Sequence, residues 1–233
     1  ALSEMGEVVL QVGCDPKRDS VWNLTHTLIP TIMEKIRENE TSGKVKTELD
    51  EIIFRGYNDI YCAEAGGPPP GRGCAGQGVL YALEYLRDMQ VEEKFGISFT
   101  LYDVLGDVVC GGFAQPIRQG YCKEIYIITN GELLSLIVSN NILKAVYKLN
   151  KESVEVGVGG LIVNSHSGEN ENLLLERFSE KVGVPIMAYV PRSPLVQLAE
   201  STNQTVIEAF PNSEQASIYR KLAIKIANNR DLY

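Results

Sequence analysis

The sequence predicts an α/β fold in which a doubly wound, mostly parallel sheet is flanked by helices. Three observations predict it. Strand-like apolar runs alternate with helical patterns throughout the chain, as they do in successive βα units. Two of those runs, 8–12 and 99–103, lead into loops that carry carboxylates, and open α/β sheets place phosphate and Mg²⁺ sites at such strand ends. No repeat, low-complexity tract or linker divides the 233 residues, and 44% hydrophobic content suffices for a full core. Residues 1–233 are therefore expected to form a single domain.

Taken in order, residues 1–6 read as the last turn of a helix with Gly6 as its C-cap. A chain that opens by ending a helix is expected to lack its natural beginning. Residues 8–12 form a short buried strand. Short helical patterns follow at 31–37 and 48–54, and 60–63 reads as a strand. The segment 64–78 is a loop dense in Gly and Pro. Residues 79–89 form an amphipathic helix with Leu80, Leu83 and Leu86 at helical spacing. Beyond the strand at 99–103, a β run at 124–129 precedes a long helix at 133–149. A strand at 158–163 ends at Asn164, and a helix spans 170–182. A strand at 185–190 and helices near 195–201 and 213–228 complete the chain.

The formal charge of −8 argues against an extended nucleic-acid surface, which needs a basic field. No apolar run approaches the roughly 20 residues of a spanning helix, and no signal-peptide pattern is present. Neither nucleic acid nor membrane is expected as a partner. The five cysteines, Cys14, Cys62, Cys74, Cys110 and Cys122, are odd in number and lack close pairs. That is a poor disulfide framework and suits free thiols in a reducing cytoplasm. Cys14, Cys62 and Cys122 lie in or beside apolar strand-like runs and are expected to pack. Cys74 and Cys110 instead stand in Gly-rich loops, where a backbone can approach an inorganic cluster closely. Fe–S clusters usually take four thiolates; two cysteines from each of two subunits across a two-fold axis would supply them. His26 and His166 are isolated and are read as non-catalytic.

The first strand runs into Gly13-Cys14-Asp15-Pro16-Lys17-Arg18-Asp19-Ser20. Two carboxylates and a lysine at a sheet's carboxyl edge suit Mg²⁺, an attacking water and phosphate charge. The alternative is a capped turn with solvated charges, since Asp-Pro is a common turn signal. A second such loop starts at Asp103, which follows its apolar run directly, as does a carboxylate that holds Mg²⁺ through water. Asp107 is better placed to orient or deprotonate a water; the alternative for it is a helix N-cap. No G-x-x-x-x-G-K-S/T motif occurs, so the chain carries no phosphate-cradling loop with its lysine. Either a first β-α unit is missing, or no nucleotide site existed.

Together these residues resemble the nitrogenase iron protein (dinitrogenase reductase) family. The resemblance rests on Val12 to Lys17 with Asp19-Ser20, and on Glu64-Ala65-Gly66-Gly67-Pro68 leading to Gly73-Cys74-Ala75-Gly76. It continues through Tyr102 to Phe113, Pro116-Ile117-Arg118, Asn140-Asn141 and Val190-Pro191-Arg192. It covers essentially the whole chain. Against the family, about 25 residues bearing the P-loop are missing from the front, and a tail from the end. The resemblance implies a P-loop NTPase-like fold, N-terminally truncated. Cys74 and Cys110 would ligate one 4Fe–4S cluster bridging a homodimer. Asp15 and Asp19 would lie in the first switch region, sensing the γ-phosphate and Mg²⁺, with Asp15 positioning the attacking water and Lys17 in the same switch. Asp103 would be the Walker-B carboxylate, and Asp107 would couple hydrolysis to the second switch. Asn164, Pro191, Gln197, Glu200, Gln215 and Tyr219 match positions around the adenine and ribose of ATP.

The implied activity is delivery of single electrons, coupled to MgATP hydrolysis, to the larger catalytic component of a nitrogenase. A ferredoxin or flavodoxin would supply the electrons. ATP would shift the segment from Asp103 to Cys110, and hydrolysis would relax it and release the partner. There are departures. Gln77 stands where the family usually has an Arg on the docking face, which is ADP-ribosylated in some members. Gln115 replaces a usual Met, and Ser193-Pro194 an Asp-Asn pair near the adenine. Gln77 keeps a second reading open, the reductase component of a nitrogenase-like tetrapyrrole reductase, of the protochlorophyllide or nickel-sirohydrochlorin type. A third is a non-catalytic scaffold lacking the P-loop, and on either view the chain as given is not expected to hydrolyse ATP.

Overall fold

The computed structural model describes residues 1–44, 46–67, 75–106, 115–152, 155–165 and 168–230. The chain divides into two compact units, Leu2–Pro116 with Glu200–Thr205, and Ile117–Ala199 with Val206–Tyr233.

The first unit is built on a four-stranded sheet. Its strands are β1 (Val9–Gly13), β2 (Phe54–Arg55), β3 (Tyr61–Glu64) and β4 (Phe99–Asp103), in the order β2-β3-β1-β4. β1 runs parallel to both β3 and β4, and β2 pairs antiparallel with β3 at the edge. Val12, Cys62 and Ala63 are wholly buried, as expected of strands covered on both faces. The helices of this unit are α1 (Trp22–Thr25), α2 (Ile32–Ser42), α3 (Ala75–Asp88) and α4 (Val91–Phe95). A capping box opens α2: Thr31 Oγ1 accepts the Glu34 N–H at 3.1 Å, and Glu34 Oε2 accepts the Thr31 N–H at 3.0 Å. Gly43, at φ +78°, closes it.

A short helix, α5 (Gln115–Arg118), precedes the second sheet. That sheet is wholly parallel, with β5 (Glu124–Thr129), β6 (Gly157–Ser165) and β7 (Ile186–Pro191) in sequence order. The remaining helices are α6 (Leu133–Lys151), α7 (Gly168–Val182), α8 (Pro194–Glu200), α9 (Val206–Ala209) and α10 (Glu214–Arg230). α6 packs on β5 and α10 on β7. Leu136, Val163 and Leu175 form the core of this unit, with Phe178 and Ile186 against it.

The fold class is the expected one, and several boundaries differ. The opening turn is a 3₁₀ turn, Ser3–Met5, closed by Gly6 at φ +94°. The helix expected at 48–54 shrinks to a 3₁₀ turn, Leu49–Glu51, because Phe54 pairs with Cys62 to start β2. The loop expected over 64–78 is helical from Ala75. Two glycines there cost helix propensity, but Gly78 lies against backbone: a Cβ on it would stand 3.2 Å from Gly67 Cα. The helices α1, α4 and α9 are too short to show a helical period.

Candidate functional site

The register of the first sheet sets its carboxyl edge. Gly13 pairs with Glu64 on one side and with Asp103 on the other, so three parallel strands end level. The ladder continues one bond beyond, from Cys14 N–H to Asp103 O at 2.9 Å and from Ala65 N–H to Gly13 O at 2.8 Å. The Asp15–Ser20 loop leaves β1 here. Asp15 Oδ1 accepts the Lys17 N–H at 2.9 Å, an Asx turn that closes the loop's first half. Lys17 Nζ stands 3.7 Å from Asp15 Oδ2 and is well exposed.

Arg18 occupies the left-handed region at φ +54°, a strained conformation for a side-chain-bearing residue. Its guanidinium donates to both carboxylate oxygens of Glu34, at 3.0 and 3.2 Å. Burial alone would raise the Glu34 pKa, but the Thr31 N–H and Arg18 outweigh it and hold the group below the ordinary range. The loop is thereby tied to the N-terminus of α2.

The loop's second half meets the sheet edge directly. Ser20 Oγ donates to Asp103 Oδ2 at 2.6 Å, and Gln11 Nε2, from β1, donates to both Ser20 O and Ser20 Oγ at 3.0 Å. Asp103 and Asp19 are both exposed. The structure thus brings Asp103 against the Asp15–Ser20 loop, as expected of neighbouring strand ends.

Glu64 is the residue that sequence reasoning missed. It ends β3, is wholly buried, and accepts the Val21 N–H on Oε1 at 3.0 Å. Burial pushes its pKa up to about 7, and the nearby Asp103 and Asp19 carboxylates add to the rise, against the lowering effect of the Val21 N–H. Its Oε2 has no hydrogen-bond partner. A signal existed: an acidic residue at the end of a strand-like run, directly before a Gly-rich loop.

In the second unit, β6 and β7 end together, with Asn164 opposite Val190 and Ser165 opposite Pro191. Asn164 and Pro191 are exposed at that edge. Gln215 lies in the first turn of α10 with Tyr219 one turn on, on the same helix face. Gln215 is buried, and its Nε2 has no hydrogen-bond partner. Gln197 is exposed on α8. Glu200 is exposed and belongs with the first unit.

Cys74, Cys110, Asp107 and His166 lie outside the described residues. Cys14 and Cys62 are buried, as expected. Burial pushes the Cys62 thiol up to about 12, with Glu64 adding to it, and the half-buried Cys122 up to about 11. The His26 ring meets the Asn203 carbonyl at 2.9 Å. Among the described residues, no three His, Cys, Asp or Glu side chains converge to hold a metal, and no helix is long and apolar enough to cross a membrane.

Solved structures share the fold. The cell division ATPase MinD of Pyrococcus furiosus aligns with a TM-score of 0.70 at 17% identity, over 97% of this chain and 88% of that one. The cobyrinic acid a,c-diamide synthase of Mycobacterium smegmatis, with bound ATP analog and magnesium, aligns at 0.66 and 15% identity, over 99% and 86%. At such identities the likeness shows the fold alone, an α/β fold of the P-loop NTPase kind. Sequence relatives are nearer. The nitrogenase iron protein of Methanospirillum hungatei is 47% identical over 233 residues, covering 99% of this chain and 81% of the relative. Nitrogenase iron protein 2 of Paenibacillus durus is 40% identical over 236 residues, covering 99% and 77%. The model of the 4Fe-4S iron sulfur cluster binding proteins, NifH/frxC family, matches residues 1–233. The chain belongs to the NifH/frxC family.

Proposed function

We propose that the protein is the ATP-dependent, electron-delivering reductase of a nitrogenase, working as a homodimer with one 4Fe–4S cluster shared between its copies. The observation that carries this reading is the carboxyl edge of the first sheet. There Ser20 joins the Asp15–Ser20 loop to Asp103, in a chain of the NifH/frxC family. The residues fit MgATP. Mg²⁺ binds through one or two carboxylates, waters and phosphate oxygens rather than an all-protein cage. Asp103 and Asp19, exposed at the edge, provide such a sparse donor set. Asp15 orients the attacking water, with Lys17 beside it for phosphate charge.

On the second unit, the buried Gln215 Nε2 is a free donor that suits a nucleobase acceptor. Tyr219, Asn164, Pro191, Gln197 and Glu200 match the family's positions around the adenine and ribose. Cys74 and Cys110 would hold the cluster, which takes up and passes on one electron when bound. The chain from Asp103 to Cys110 serves as the lever, joining a nucleotide-reading carboxylate to a cluster-bound thiolate within eight residues. Asp107 lies between them.

Electron transfer to a nitrogenase catalytic component, assayed with MgATP and a reductant, tests this reading. Wild-type full-length protein should support ATP-dependent transfer. Asp107→Asn should keep ATP turnover while electron delivery falls by about tenfold or more. Equal coupling in wild type and variant would contradict the lever. A second reading is favoured by Gln77, exposed on α3 where the family usually has Arg. It makes the partner a nitrogenase-like tetrapyrrole reductase, and the same assay with that catalytic component distinguishes it.

A further inference from the structure

Glu64 is a buried ionisable group that the proposed mechanism does not use. Its carboxylate is seated over Gly13: a Cβ built there would stand 1.9 Å from Glu64 Oε2 and 2.8 Å from Ser20 Cβ. Only a glycine leaves that space. The Val21 N–H that Glu64 accepts belongs to a residue 1% exposed, so water cannot readily replace the bond if it is lost. One residue earlier, Ser20 is held by Gln11 and holds Asp103. The end of the loop is therefore fastened to three strands at once, to β3 through Glu64, to β1 through Gln11 and to β4 through Asp103.

We propose that Glu64 is a positioning residue for the phosphate-side edge: its carboxylate, admitted by the bare Cα of Gly13, pins the Val21 N–H and so sets Ser20 and Asp19 against Asp103. The inference rests on reading this edge as a phosphate and cation site. It also gives the loop a grip on β3, whose continuation leads to Cys74. That continuation is itself clamped. Ala65 O accepts the Met33 N–H at 3.2 Å, and Gly67 O accepts from Arg37 at 3.0 Å. A Cβ on Gly67 would stand 3.1 Å from Pro16 Cγ, in the loop itself. The acceptor oxygen, rather than the negative charge, performs the task, and a glutamine retains it.

The test uses the full protein, amide hydrogen exchange at Ser20 and Val21, and Mn²⁺ with ATP as a spectroscopic probe of the edge. Glu64→Ala should speed exchange at the two amides by about tenfold or more and weaken Mn²⁺ binding several-fold. Glu64→Gln should keep both at the wild-type level. Gly13→Ala, whose Cβ would displace the carboxylate and also crowd Ser20, should disturb both readouts at least as much as Glu64→Ala. The inference is overturned if Glu64→Gln matches Glu64→Ala, or if exchange quickens with Mn²⁺ binding unchanged, or if neither moves. Should Glu64→Ala fail to fold, Glu64→Gln and Gly13→Ala decide the matter by the same criteria. Wild-type protein that binds no Mn²⁺ in the presence of ATP refutes the phosphate-site reading itself. Binding that Gly13→Ala and Glu64→Ala leave intact refutes the role of Glu64 alone.

Discussion

At the carboxyl edge of the first sheet, the missing methyl of Gly13 decides the layout. Its absence admits the Glu64 carboxylate, whose Oε2 would otherwise lie 1.9 Å from a Cβ. The electrostatic cost is readable in pH. Glu64 has its pKa raised from 4.5 to about 7 by burial and then by Asp103 and Asp19. Between those values the folded protein keeps a proton that the unfolded chain has lost, so stability falls as pH rises through the window. The contribution is fully present below about pH 4.5 and gone above about pH 7; at 1.36 kcal/mol per unit it amounts to about 3 kcal/mol at most. Urea unfolding in magnesium-free buffer should show wild type losing stability relative to Glu64→Gln across that window. Parallel profiles for the two proteins would contradict the assignment.

At the scale of elements, α2 anchors the site from below. Its capping box, the Arg18–Glu34 pair and the buried Thr31 beneath Gly66 meet at one helix end. Gly66 sits at φ +76°, and a Cβ on it would come 2.4 Å from Thr31 Oγ1. Both partners of the Arg18–Glu34 pair are more than a third exposed, so its own energy is small; it ties the Asp15–Ser20 loop to the start of α2. Thr31→Ala removes the cap and should cost about 1–2 kcal/mol, read as a lower denaturation midpoint at an unchanged slope. A change below a few tenths would show that the cap is redundant.

Much of this was legible in the sequence. Asp103 closes an apolar run, and 31–37 carries a helical pattern, though its capping box, Thr31 with Glu34, went unread. What escaped depends on distant pairing. Glu64 finds its donor 43 residues away, which no local period encodes, and it looked like the start of the Gly-rich loop. Phe54 left a helical pattern because β3 offered its edge. The helix start at Ala75 was hidden because glycine reads as loop, whereas here Gly78 serves a close backbone approach.

At the scale of the whole molecule, the family and the fold point the same way. The NifH/frxC model spans residues 1–233, and the chain covers 81% of the Methanospirillum relative. In each unit taken by itself, parallel strands end in polar groups: Glu64, Asp103 and Ser20 at the first sheet's edge, and Asn164 and Ser165 at the end of β6 in the second. Two of the five cysteines are buried in the core, which leaves three, fewer than the four thiolates of a cubane. On the proposed reading, Cys74 and Cys110 of one copy and the same pair of a second copy supply the four. The most direct measurement is the iron content of the full-length protein after anaerobic reconstitution, with its mass in solution. The account predicts about four irons per dimer, one Cys₄-ligated cubane, lost together when Cys74 or Cys110 is changed to Ser. About eight irons per dimer, or none, would contradict it.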